Sequence, residues 1–221
     1  MRARSGRTPT SCSTATSPPD RSAARILALG DSYTIGESVA ADASWPLRLA
    51  AALRAGGRDV SPPRVVARTG WTTDELALAI DAAQVDGPYD LVTLLVGVND
   101  QFRGRPVGDF GPRFRELVER AVRFAGGRAD RVIVLSIPDW SITPFAEGRD
   151  RDRIAAELDV FNESVRNEAK RAGVRYVDVT PISRRAGREP DLIAPDGLHP
   201  SGRMYTAWVE AVLPLARAAI E

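Results

Sequence analysis

Among 221 residues there is one cysteine, one histidine and one lysine. The single thiol, Cys12, cannot close a disulfide within the chain, and Cys12 with His199 cannot fill the four positions of a structural zinc site. No apolar run reaches the roughly 20 residues of a membrane helix, and no amphipathic stretch carries the Lys/Arg stripe of a helix lying on a membrane surface. Charge of one sign is not in excess: 30 Lys+Arg face 29 Asp+Glu. Arg2, Arg4, Arg7 and Arg21 lie near the start against Asp20 alone, so the rest of the chain is slightly acidic and offers no basic footprint for nucleic acid. After the first apolar run neither G-x-G-x-x-G nor G-x-x-x-x-G-K-[ST] follows, which argues against a dinucleotide or phosphate-loop cofactor site.

What is present is an ordinary globular composition, 43% hydrophobic and 27% charged. A chain of this length buries roughly 70% of its unfolded surface and needs no covalent staple. Residues 1–24 are rich in Ser, Thr, Pro and Arg without apolar periodicity, and are expected to form a disordered leader. They hold no hydrophobic stretch of secretory-signal length, so a cytoplasmic location is the default expectation, and no apolar segment precedes Cys12 to suggest a lipid anchor. Residues 25–221 are expected to form a single domain.

From Arg25 onward short apolar runs alternate with longer amphipathic ones, the pattern of repeated βα units around a parallel sheet. The spacing predicts strands at Arg25–Leu29, Arg64–Ala67, Asp90–Val96, Arg131–Ser136 and Val174–Val179. It predicts helices at Trp45–Arg54, Thr73–Ala82, Arg113–Phe124, Asp150–Ala172 and Gly202–Ala219, with Gly173 ending the fourth. These assemble into a three-layer α/β/α sandwich whose five parallel strands take the flavodoxin-like order 2-1-3-4-5. In such a sheet the ligand crevice lies beyond the carboxyl ends of the strands, where the first and third diverge.

Chemistry-bearing residues fall at those ends. Gly30-Asp31-Ser32-Tyr33 closes the first strand, which places Ser32 where a nucleophile would stand; as a bare tripeptide Gly-Asp-Ser is equally an ordinary turn. Gly97-Val98-Asn99-Asp100 closes the third, and the Asn99 amide can donate to an oxyanion beside Ser32, or simply cap the next connection. After the second strand, Gly70 lets the backbone approach a ligand and Thr72 or Thr73 can cap the following helix, although an ordinary strand-to-helix turn looks the same. His199, within Pro195-Asp196-Gly197-Leu198-His199-Pro200, is the one imidazole available as a base near neutral pH, and Asp196 is spaced to orient it. Ser32, Asp196 and His199 thus form a candidate triad.

These four blocks, in this order over Leu29–Ser201, resemble the SGNH (GDSL-type) hydrolase family of esterases and lipases. The resemblance implies a nucleophile at Ser32, a base at His199 oriented by Asp196, and an oxyanion hole from the N–H groups of Ser32 and Gly70 with the side chain of Asn99. Tyr33 replaces the leucine of the namesake motif, with its side chain expected to pack away from the reacting carbonyl. The second block, Ala67-Arg68-Thr69-Gly70, lacks the asparagine often found there. The expected activity is hydrolysis of short- to medium-chain carboxylic esters through an acyl-enzyme, with no metal or organic cofactor and a small-molecule ester as partner. Acetylated carbohydrates, thioesters and lysophospholipids are the alternative substrates, and a catalytically silent flavodoxin-like binding module is the alternative function. An α/β-hydrolase is disfavoured because Gly30-Asp31-Ser32-Tyr33-Thr34 lacks the final glycine of G-x-S-x-G. Phe102, Trp140, Ile142 and Phe145, on segments overhanging the site, are candidate pocket residues. Arg103 and Arg105 are read as solvated loop cations or a lure for an anionic substrate.

Overall fold

Parallel strands buried on both faces need near-continuous apolar runs, and five such runs build one sheet here. A computed structural model describes residues 23–221, so Cys12 and nearly all of the expected leader lie outside the described residues. The strands are β1 (Ile26–Gly30), β2 (Arg64–Ala67), β3 (Leu91–Leu95), β4 (Val132–Leu135) and β5 (Arg175–Val177). All pair in parallel in the order β2-β1-β3-β4-β5, as expected. Ala24 bridges Val60 and donates its N–H to the Asp59 carbonyl, joining the sheet's edge just before β1.

Around the sheet stand α1 (Ser32–Ile35), α2 (Trp45–Ala55), α3 (Thr73–Ala82), α4 (Val98–Phe102), α5 (Val107–Phe124), α6 (Arg151–Arg171), α7 (Thr180–Arg184) and α8 (Gly202–Ala219). Helices α2 and α8 pack together, while α3, α5 and α6 pack in succession, giving helical layers flanking the sheet. Trp45, Tyr205 and Trp208 fill the first group, and Phe110 and Phe114 the second; all five are fully buried. The five long helices match expectation closely except α5, which starts six residues earlier than the predicted Arg113. Gly108, Gly111 and Pro112 conceal the period there. Proline removes one backbone hydrogen bond, and burial of Phe110 beside Phe114 and Phe161 outweighs that loss. Helices α1, α4 and α7 are four or five residues long, too short for a 3.6-residue period to register.

The register places the motif ends side by side. Gly30 pairs with Ala67 of β2 and with Leu95 of β3, so the chain segments leaving β1, β2 and β3 emerge together at one edge. Gly97 is obligatory at this edge: its φ is +133°, and an added Cβ would come within 2.8 Å of Ile137 and Phe110.

Candidate active site

Asp31, immediately after β1, has extended backbone and caps α1, its Oδ1 accepting the Tyr33 N–H at 3.0 Å. This turns the chain so that Ser32 opens the short helix at the mouth of the strand. Asp31 is completely buried, and that desolvation pushes its carboxyl up to about 8, with the Tyr33 N–H pulling the other way.

The partner loop arrives from the far end of the chain. Ile193 bridges Pro200, the Ala194 N–H donates to the His199 carbonyl at 2.7 Å, and Ser201 caps α8. Within this tight loop Asp196 Oδ1 accepts the N–H groups of Leu198 (2.9 Å) and His199 (3.0 Å), which fixes the carboxylate against its own backbone. Asp196 Oδ2 lies 2.6 Å from His199 Nδ1, and His199 Nε2 lies 3.0 Å from Ser32 Oγ, across 167 residues of sequence. The structure therefore brings Ser32, His199 and Asp196 into one hydrogen-bonded relay. Burial alone would raise the Asp196 carboxyl, but its donors outweigh burial, the Ser38 hydroxyl first among them, and hold it well below the usual carboxylate range. Tyr33 is buried and sets its ring edge-on to the imidazole at 5.6 Å, with Trp208 behind at 6.4 Å. The residue that departs from the namesake motif thus backs the imidazole.

Gly70 and Asn99 line the same cleft as Ser32 and His199. Gly70 has φ +85°, and among the described residues its N–H meets no acceptor in the protein. Its carbonyl accepts from Arg103 at 2.7 Å. Asn99 sits one residue inside α4 rather than on the strand, and its Nδ2 donates to the Trp71 carbonyl at 2.9 Å. One amide proton is thereby engaged and the side chain oriented, leaving the second for a ligand. The neighbouring Asp100 is fully buried and does not face the cleft's chemistry. It accepts from the Thr73 N–H and hydroxyl, both at 2.9 Å, and from Arg105 at 3.3 Å, pinning the start of α3 to α4. Thr72 is the helix cap, closing a capping box with Glu75.

The sequence profile of the GDSL-like Lipase/Acylhydrolase family matches residues 28–207, which contain all four blocks. The chain belongs to the GDSL-like lipase/acylhydrolase family. None of the curated proteins matches it in sequence. Solved structures that share the fold include a lipolytic G-D-S-L family protein from Veillonella parvula, at 19% identity and TM-score 0.67 over 87% of this chain and 97% of that one. A lipase/acylhydrolase from Enterococcus faecalis is similar at 20% identity and TM-score 0.65, covering 90% and 97%. The acetylxylan esterase Axe2 from Geobacillus stearothermophilus is similar at 20% identity and TM-score 0.65, covering 87% and 94%. Among the described residues no helix of this GDSL-like hydrolase is long and apolar enough to cross a membrane.

The cleft of this GDSL-like hydrolase has a volume of about 140 Å³, with Phe102, Trp140, Phe145 and Leu198 as its apolar wall. The three aromatic rings pack on one another with centroids 5.6 to 6.1 Å apart, and the Arg149 guanidinium lies over all three at 4.9 to 5.6 Å. Ile142, expected with them, does not line the cleft; it packs half-buried against the core. Arg103 and Arg105 are not free loop cations but are engaged by the protein, although Arg103 stays 44% exposed. Arg103 binds the Gly70 carbonyl and Glu75, while Arg105 binds Asp74 and Asp100, because the turn at Gly104 folds both back onto α3. The expectation missed Ser38 and Arg149, which reach the site through contacts that no local pattern announces.

Proposed function

We propose that this protein is a serine hydrolase that cleaves short- to medium-chain carboxylic esters through an acyl-enzyme intermediate, with Ser32 as nucleophile, His199 as base and Asp196 as the orienting carboxylate. The relay from Ser32 Oγ through the imidazole to Asp196, at a cleft with a mainly apolar lining, is the observation that carries this reading. His199 Nε2 accepts the Ser32 proton as the oxygen attacks the ester carbonyl. The protonated imidazole then donates to the departing alkoxide, leaving the acyl group on Ser32. Water, deprotonated by the same nitrogen, attacks the acyl-enzyme, and collapse returns the proton to Ser32 with release of the acid. Oxyanion stabilisation comes from the Ser32 and Gly70 N–H groups and the free amide proton of Asn99. The requirement that Asp196 stay ionised to stabilise the imidazolium is supported by its lowered pKa.

A cleft of about 140 Å³ walled by three aromatic rings favours short acyl groups over long chains. Acetylated sugars are the second substrate class that this wall accommodates, through sugar-ring packing on exposed Phe102 and Phe145, and one structural relative bears the name acetylxylan esterase. The test is kcat/KM across p-nitrophenyl esters of two to twelve carbons, with a fluorophosphonate label to locate the nucleophile. Turnover peaking at short chains with a covalent adduct on Ser32 supports the proposal. A folded protein that neither turns over nor takes the label returns it to the class of silent binding modules.

A further inference from the structure

The relay has a fourth member. Ser38 Oγ lies 2.6 Å from Asp196 Oδ2, the same oxygen that faces His199 Nδ1, although the two residues are 158 positions apart. The backbone spends strain to hold it there. Ser38 has φ +63° and, with Gln84, is one of two non-glycine residues with positive φ among the described residues. The turn leading into it is anchored by Gly36, whose left-handed backbone ends α1, and by Glu37, which accepts the Thr69 hydroxyl of the loop after β2.

We propose that Ser38 is a positioning residue for the reaction: its hydroxyl fixes the rotation of the Asp196 carboxylate and tunes how strongly that carboxylate holds the imidazolium of His199. The inference rests on the triad reading above. A carboxylate oxygen that accepts a hydroxyl as well as an imidazole N–H has its charge shared between two donors, so each weakens the other's hold. Ser38 is the foremost of the donors that keep Asp196 ionised, as the direction of that carboxyl's shift reflects. The other titratable groups around the pair are Tyr33 at α1, whose ring meets the imidazole, and Tyr205 on α8, both within the field of Asp196; Asp31, Glu37 on the same loop and Asp139 after β4 lie around those two rings. Burial holds both tyrosines well above their ordinary range, so neither ionises near neutrality. Replacement of Ser38 leaves all five in place.

Because His199 is the sole histidine, its Cε1–H signal reports the titration of one imidazole without interference. The variant is Ser38→Gly, which accepts the left-handed backbone and removes the hydroxymethyl side chain. Relieved of its competitor, Asp196 should hold the imidazolium more tightly, moving the NMR midpoint to higher pH by about half to one unit. The acid limb of kcat/KM on p-nitrophenyl butyrate should move by the same amount. With the carboxylate freer to rotate, kcat should fall several-fold while KM stays within about twofold. An imidazole midpoint unchanged to within about 0.2 unit overturns the tuning role, and a kcat equal to wild type overturns the positioning role. If the wild-type protein neither cleaves the ester nor takes the phosphonate, the hydrolase reading fails by itself, and the NMR midpoint still decides whether Ser38 controls the Asp196–His199 pair.

Discussion

Replacing Asn99 by alanine separates the chemistry of the cleft from its architecture. The side chain has two amide protons; one is held by the Trp71 carbonyl at 2.9 Å, and the other is assigned to the oxyanion. Loss of the second is a transition-state loss. Removal of one such donor lowers kcat by about 10²- to 10³-fold, equivalent to roughly 2.7–4 kcal/mol. Loss of the first is a ground-state loss of about 1 kcal/mol, since the Trp71 carbonyl surrenders a single hydrogen bond. For a chain of this size that corresponds to a melting-temperature decrease of roughly 2–4 °C. Steady-state kinetics on p-nitrophenyl butyrate, paired with a thermal melt, should therefore show a small drop in stability, a large drop in kcat and a KM within about threefold of wild type. Asn99→Asp keeps the volume but exchanges a donor for a negative charge, and should lose at least as much turnover as alanine. A kcat for Asn99→Ala within about threefold of wild type would refute the assignment, as would a loss confined to KM.

Three further perturbations probe the surroundings. Asp100→Ala strands the Thr73 N–H and hydroxyl in the interior and takes one partner from Arg105; urea unfolding should show a loss of about 3 kcal/mol, and a loss below about 1 kcal/mol would mean that the α3–α4 clamp is unimportant. Asp31 has its folded-state acidity moved to about 8, so between its unfolded value near 4 and pH 8 the native state binds more protons than the unfolded one. Stability should accordingly fall as pH rises through that window, by as much as roughly 1.4 kcal/mol per unit, and Asp31→Asn should flatten the slope in denaturant titrations from pH 5 to 8; parallel curves for the two proteins would contradict this. Phe102→Ala opens one wall of the cleft, and kcat/KM should drop by about fourfold for each acyl methylene left uncovered, with little change on the acetyl ester. A uniform loss across the ester series would show that Phe102 does not contact the acyl group.

Sequence alone determined the strand and helix scaffold from Arg25 onward, because buried parallel strands and half-buried helices each demand an apolar period that local residues either satisfy or do not. It also located Ser32, Gly70 and Asn99 just beyond strand ends and His199 in the loop before the last helix, since turn chemistry and the scarcity of histidine are visible in one dimension. The start of α5 was hidden because two glycines and Pro112 interrupt a helix that is held by Phe110 and Phe114 packing on distant neighbours. Tertiary structure alone decided which proton faces which lone pair. The 3.0 Å approach of Ser32 to His199 spans 167 residues, and the Ser38 contact to Asp196 spans 158. The same is true of the arginines: Arg103 and Arg105 read as loop cations, yet folding sets them against Gly70, Glu75, Asp74 and Asp100. A hydrogen bond is decided by a few tenths of an ångström and by direction, and those are set by how the sheet and its loops close in space, whereas a buried face is decided by composition and period, which the chain carries along its length.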